Sequence, residues 1–301
     1  MEDRNKYRAG QYSYFAPDSY LERTSRSVYA IVFLLPFIIF YECGVLFIKT
    51  DILNQSVVLV DAFVWLKKSV GYIGFEDKMA WIAPPLVVLV ILVALQITSR
   101  KSWSIWPQDL WIMAIECVLL AIPLIVFSLF LNASGSRQSS YLPHQQSVKY
   151  AAVTDAGSAG AANSLVYCQS SSGDTAGRQS TFTRMVTGIG AGIYEELVFR
   201  LILICVLMMI LQDVLRFDHT MAIIMAVLVS AALFSAHHHI DFLSGQVNTN
   251  DPFNLIKFVF RTIAGVYFAI LFAIRGFGVT AGTHACYDIL AVLINHLFFA
   301  D

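Results

Sequence analysis

The chain has 301 residues, of which 57% are hydrophobic and only 14% charged, and its mean hydropathy is +0.65. That composition excludes an ordinary soluble domain and is that of a polytopic membrane protein. The net charge of −1 gives no electrostatic basis for a nucleic-acid partner. The five scattered cysteines (Cys43, Cys117, Cys168, Cys205, Cys286), odd in number and without metal-ligand spacing, exclude a disulfide framework.

Residues 1–27 are polar and mix acids with bases, and no small-residue cleavage pattern follows the first apolar run, so the first span is expected to stay uncleaved. That span is Val28 to Ile48, with Pro36 inside it and Glu42 read as a snorkelling residue near its far end. Val57 to Leu66 is apolar but short and broken by Asp61, the pattern of an amphipathic interfacial helix or a loop rather than a span. Trp81 to Thr98, opened by Pro84-Pro85, is the second span. Arg100-Lys101 with Trp103, Trp106 and Trp111 mark an interface. Leu110 to Leu131 is the third span and carries Glu116, facing either the bundle interior or the interface.

From Asn132 to Thr181 the sequence turns Ser-, Ala-, Gly- and Gln-rich with no periodicity, and it reads as a disordered insert. The fourth span runs from Phe182 to Leu211, the fifth from Met221 to about His238, the sixth from Phe253 to Ile274 with Arg261 inside, and the seventh from Gly278 to Phe299. The expected organisation is therefore a polar segment 1–27, N-terminal transmembrane helices 28–131, the insert 132–181 and a second helical block 182–301. The fold class is all-α, a polytopic helix bundle of about seven to eight spans. Loop charges favour a cytoplasmic N-terminus: Arg4, Lys6, Arg8, Arg23, Arg26, Arg100, Lys101, Arg216 and Arg275 then share one side.

The fourth span contains Gly188-Ile-Gly-Ala-Gly192-Ile-Tyr-Glu195-Glu196-Leu-Val-Phe-Arg200. Each charge at a helix centre costs about 3 kcal/mol, against about 0.5 returned by a large aliphatic residue. A segment built only to anchor would not carry three. Glu196 and Arg200, four apart, share a face and can pair. Glu195 lies a quarter-turn away and cannot share that pair equally, so one glutamate is neutralised and the other left for chemistry. Gly188 and Gly192 form a small-residue pair that lets another helix approach closely.

Two further groups sit on other spans: Phe234-x-x-x-His238 at the end of the fifth, and His284-x-x-x-Asp288, one turn apart, in the seventh. Together with the glutamates they could hold and deprotonate a water. Successive helical residues point about 100° apart, so of His237, His238 and His239 one should face the site. The Phe234 spacing selects His238 and leaves the other two at the interface. His144, His219 and His296 have no motif context.

These motifs, in this order and each on an apolar helix, resemble the CPBP family of CAAX proteases and bacteriocin-processing enzymes, whose pattern is EExxxR, FxxxH and HxxxN or HxxxD. The resemblance covers roughly Phe182 to Asp301 and implies an intramembrane endopeptidase acting on a membrane-associated peptide or protein. It implies Glu195 as the general base, His238 helping to hold the water, Glu196 and Arg200 supporting the site, and His284 and Asp288 at the oxyanion. Asp288, unlike asparagine, cannot donate a hydrogen bond when ionised. It is expected instead to bond the His284 ring and favour a donating imidazolium. The resemblance also implies metal-free chemistry with no cofactor. Two histidines and a glutamate nonetheless form a known zinc set, which here would be Glu195, His238 and His284. Two other classes compete: a catalytically silent immunity or scaffold protein, and a proton-coupled transporter. The intact acid–histidine set argues against the first, and the lack of repeated halves against the second. The protein is expected to be multi-pass in the plasma or inner membrane if its host is bacterial.

Overall fold

The computed structural model describes residues 16, 18–51, 60–72, 82–139, 181–240, 242, 245 and 253–298. Among these the regular elements are all helices, with no strands. A short α1 (Tyr20–Thr24) precedes α2 (Ser27–Asp51), α3 (Asp61–Tyr72), α4 (Ala83–Ser99) and α5 (Pro107–Ser139). Then comes α6 (Thr181–Glu196), which continues through a π-helical stretch Leu197–Leu203, α7 (Ile204–Met208) and a second π-helical stretch Met209–Val214. α8 (His219–His237) and α9 (Leu255–Phe298) complete the chain. The start expected for the polar insert, Asn132, falls within the backbone of α5, and residues 140–180 lie outside the described set.

Five helical segments are long and apolar enough to cross a membrane, with Ala83–Ser99 as a shorter apolar helix. The last of the five, Leu255–Phe298, is folded back on itself at Gly276, where φ is 77° and ψ 178°. The ring of His284 stacks on Phe268 at 4.6 Å, whereas a continuous helix would separate residues sixteen apart by about 24 Å. Residues 255–275 and 277–298 are therefore two antiparallel arms, matching the sixth and seventh expected spans. Only glycine adopts this φ without strain, and a Cβ on Gly276 would stand 2.9 Å from the Ser25 carbonyl.

Local signals set the other ends. Asp218 caps α8 by accepting from the Met221 N–H at 3.1 Å, and Pro84 opens α4 at its first turn. Large apolar side chains such as Phe47, Trp111, Phe130 and Leu228 point outward, as lipid-facing residues do. The helix carrying the glutamates is different. Every residue of α6 from Val186 to Glu196 is buried, enclosed by α2, α3 and the second arm of α9. A helix buried all round belongs at the centre of a bundle.

A polar cluster closes the bundle where α1, α5 and the α9 turn meet. Arg275 donates to both Glu116 oxygens at 2.6 and 2.7 Å, to Thr24 Oγ1 at 2.8 Å and to the Leu21 carbonyl at 2.8 Å. Tyr20 donates to the same Glu116 at 2.6 Å. Glu116 thus turns toward α1 and the α9 turn at the end of the bundle, with its side chain 20% exposed. Arg23 pairs with Asp109 at 2.8 Å, and Arg26 with Glu22 at 2.6 Å. Burial pushes the Glu22 carboxyl up, but the hydrogen bonds from Arg26 and Lys101 outweigh it and hold the group below the usual carboxylate range.

Candidate active site

Three helix segments meet at the end of α6. Glu195 and Glu196 are its last two residues, and Arg200 follows in the π-helical stretch. π-Helical turns recur at functional sites because they re-aim side chains that a regular helix would hold elsewhere. The Phe199 carbonyl within this stretch accepts from Ser230 Oγ of α8 at 2.7 Å, which ties the irregular turn to its neighbour. Arg200 is fully buried. Its Nε lies 3.1 Å from Glu196 Oε2, its guanidinium sits 4.1 Å over the Phe234 ring, and Nη2 donates to the Gly265 carbonyl at 3.4 Å. The pairing expected from the four-residue spacing is present, and Glu195 stands outside it.

Glu196 also holds His284. Nδ1 of His284 is 2.7 Å from Glu196 Oε1, and because a carboxylate only accepts, Nδ1 carries the hydrogen. The other nitrogen, Nε2, faces Asp288 Oδ2 at 3.7 Å. The hydrogen bond expected from Asp288 is thus made by Glu196, and Asp288 stands at ion-pair distance. Phe268 stacks beneath the ring, so Arg200, Glu196, His284 and Asp288 form one buried chain of alternating charge-bearing groups. The glycine pair makes this approach feasible. Cβ atoms added at Gly188 and Gly192 would lie 2.7 Å from Asp288 Cβ and 2.5 Å from the Ala285 nitrogen. The expected close helix approach is therefore that of the second α9 arm.

Glu195 meets the histidine run. His237 Nε2 lies 3.6 Å from Glu195 Oε1. Nδ1 of His237 contacts the Phe234 carbonyl, which can only accept, so Nδ1–H is the donor. In the neutral ring Nε2 then presents its lone pair to Glu195. Two acceptors facing each other at this distance can be bridged by a donor that reaches both. The His238 ring lies 3.9 Å from the His237 ring and edge-on to Phe234 at 5.4 Å.

Interfacial positions were expected for His237 and His239, and the structure corrects both. His237 is 2% exposed and His239 3%, and His239 Nε2 lies 3.4 Å from Arg261 Nη1. The 100° rule fails here because α8 ends at His237, and the chain then turns. The His239 N–H bonds back to the Ala236 carbonyl at 2.9 Å, bringing all three rings inside. Glu42 also leaves its expected role, since it accepts from Tyr194 Oη at 3.0 Å, one residue before Glu195. His219 is exposed at the start of α8 beside Gln212, and His144 lies outside the described residues.

Among the described residues, Glu195, His237 and His238 offer ligand atoms within 4.8 Å of one another, the spread of a three-donor set for a divalent cation. His237 also has the backing a metal-bound imidazole uses, a backbone carbonyl on its remote nitrogen. His284, placed in the zinc set by sequence, is instead engaged by Glu196.

Chemically, the arrangement offers a buried carboxylate beside an acceptor nitrogen, and a second imidazole fixed by an ion-paired carboxylate. Residues 177–290 match the family model described as type II CAAX prenyl endopeptidase Rce1-like. The match spans all three motifs. No curated protein and no solved structure matches the chain.

Proposed function

We propose, for an integral, multi-pass membrane protein that carries an Rce1-like domain of the CAAX-type intramembrane protease family, that the Glu195 carboxylate is the base that activates water for peptide-bond hydrolysis. The observation that carries this reading is the 3.6 Å separation of Glu195 Oε1 and His237 Nε2, both on buried side chains. A water placed there donates to both. Glu195 takes one proton as the oxygen attacks the scissile carbonyl carbon, and the carbonyl electrons move to oxygen. The C–N bond then breaks as Glu195 returns the proton to the amine nitrogen, so atoms and charge balance. His284 acts as the imidazolium: its Nδ1–H is held by Glu196, which Arg200 pairs, and its Nε2–H donates to the oxyanion. The Asp288 carboxylate beside that nitrogen favours the charged ring. His238 stands beside His237, with a ring nitrogen within 4.8 Å of a Glu195 oxygen, and helps to hold that water. The substrate is a membrane-associated peptide or protein. The family's name points to a prenylated C-terminal CAAX sequence as the first substrate to try.

A second reading rests on the same donor set. Glu195, His237 and His238 fit a divalent cation, which when bound would supply an acidified water. Metal-free hydrolysis predicts that extended chelation leaves activity intact. The metal reading predicts loss on chelation and recovery with zinc.

The test compares new peptide termini in membranes expressing wild type and Glu195→Ala at matched levels. Termini that appear only with wild type are the expected result. Identical profiles from two folded, abundant proteins would remove the protease assignment.

A further inference from the structure

Helix α3 carries none of the three motifs, yet it brings Trp65 to the site. The half-buried indole lies edge-on to the His237 imidazole, 5.7 Å between ring centres. It also meets Phe199 edge-on at 6.1 Å and stacks on Phe242 at 5.8 Å with 24° between the planes. Phe199 in turn meets Phe234 at 5.5 Å, and Phe234 meets His284 at 6.0 Å. Exposure falls steeply along this series: Phe242 is 43% exposed, Phe199 2% and Phe234 0%. The aromatics therefore form a continuous apolar wall from the surface to the two imidazoles.

Helix α3 is anchored to the helix that bears the base. Phe63 is fully buried, edge-on to Tyr194 at 5.1 Å and tilted against Tyr41 at 5.6 Å. Tyr194 immediately precedes Glu195, so Trp65 is held in fixed relation to the carboxylate. A peptide residue advances at most about 3.6 Å in extended form. A side chain resting on the indole thus belongs to a residue at, or next to, the bond attacked beside His237. Aromatic walls grip apolar groups at low entropic cost, because they bury large area with few rotatable bonds.

Resting on the protease reading above, we propose that Trp65 and Phe242 line a specificity subsite that takes a bulky apolar side chain of the substrate beside the scissile bond. Neither residue exchanges a proton in the reaction. They select which peptide reaches Glu195.

The test uses the full-length protein in detergent, a peptide library of defined sequences and mass-spectrometric identification of cut sites. Wild type, Trp65→Ala, Trp65→Phe, Phe242→Ala and Glu195→Ala are compared. Wild type and Trp65→Phe should favour bulky apolar residues at one position flanking the cut. Trp65→Ala should lose that preference, with KM for bulky peptides raised about tenfold and kcat within about threefold. Should Trp65→Ala not fold, Trp65→Leu and Phe242→Ala carry the same comparison. Unchanged preference and KM in folded variants would overturn the subsite. So would a loss confined to kcat, which would make Trp65 a support for His237. No Glu195-dependent cut by wild type at all would sink the protease reading, and this subsite with it.

Discussion

Gly192→Ala places a single methyl between the two helices that build the site. Its Cβ would lie 2.5 Å from the Ala285 nitrogen and 2.8 Å from the Ala285 Cα, both backbone atoms that cannot swing aside. Reaching an ordinary contact of 3.4 Å requires α6 and the second α9 arm to part by about 0.9 Å. The wedge sits one helical turn from Glu196 and one residue from His284, whose 2.7 Å hydrogen bond joins these helices. Overpacking of this kind costs about 1–3 kcal/mol, which a bundle tolerates. A displacement of about 1 Å in a catalytic array, however, costs on the order of 100-fold in rate. Gly192→Ala should therefore remain folded and membrane-inserted, and lose about 100-fold in cleavage of a membrane-bound reporter with little change in KM. Gly71→Ala is the control, since nothing lies within 4 Å of its Cβ and α3 should form slightly better. Full activity in Gly192→Ala at normal stability would refute the argument that this interhelical contact sets the geometry of Glu196 and His284.

Two further outcomes follow from the charges. Arg200→Leu leaves the Glu196 carboxylate buried beside His284 without its guanidinium, a change that destabilises by about 3–5 kcal/mol for a buried pair. Thermal unfolding in detergent should show this, and Arg200→Leu with Glu196→Gln should unfold at a higher temperature than Arg200→Leu alone; strictly additive losses would show that the pair is not coupled. Glu22 gives the pH dependence. Its folded-state pKa is depressed, so its stabilisation is present above the unfolded value of about 4.3 and is lost as pH falls through the lower folded value. Unfolding temperature should drop below about pH 4, and Glu22→Gln should flatten that drop while lowering stability at pH 7. An unchanged acid limb in Glu22→Gln would place the sensitive groups elsewhere.

Much of this was readable in the chain because a membrane helix advertises itself by length and apolarity alone. The spans appeared within a few residues of their helices, and Glu196 and Arg200 paired as their four-residue spacing requires, since both signals are local. Gly188 and Gly192 announced that some helix would come close, but not that it would be the one carrying Asp288 and Ala285. The partner of His284 was likewise hidden, because Glu196 and Asp288 lie within reach of opposite sides of one ring and only the packing of α6 on α9 assigns the hydrogen bond. The histidine run was misread for a similar reason. Angular spacing presumes a continuing helix, and α8 stops at His237, so where the chain turns decides which imidazole meets Glu195. Trp65 carried no signal at all, since a tryptophan on a short amphipathic helix becomes part of a site only when Phe63 anchors that helix beside Tyr194. The sequence by itself determined that this protein is a membrane helix bundle with charged groups its lipid-spanning helices would not carry as mere anchors. Which of those groups touch is a matter of helix contacts between residues far apart in the chain, and only the tertiary structure decided that.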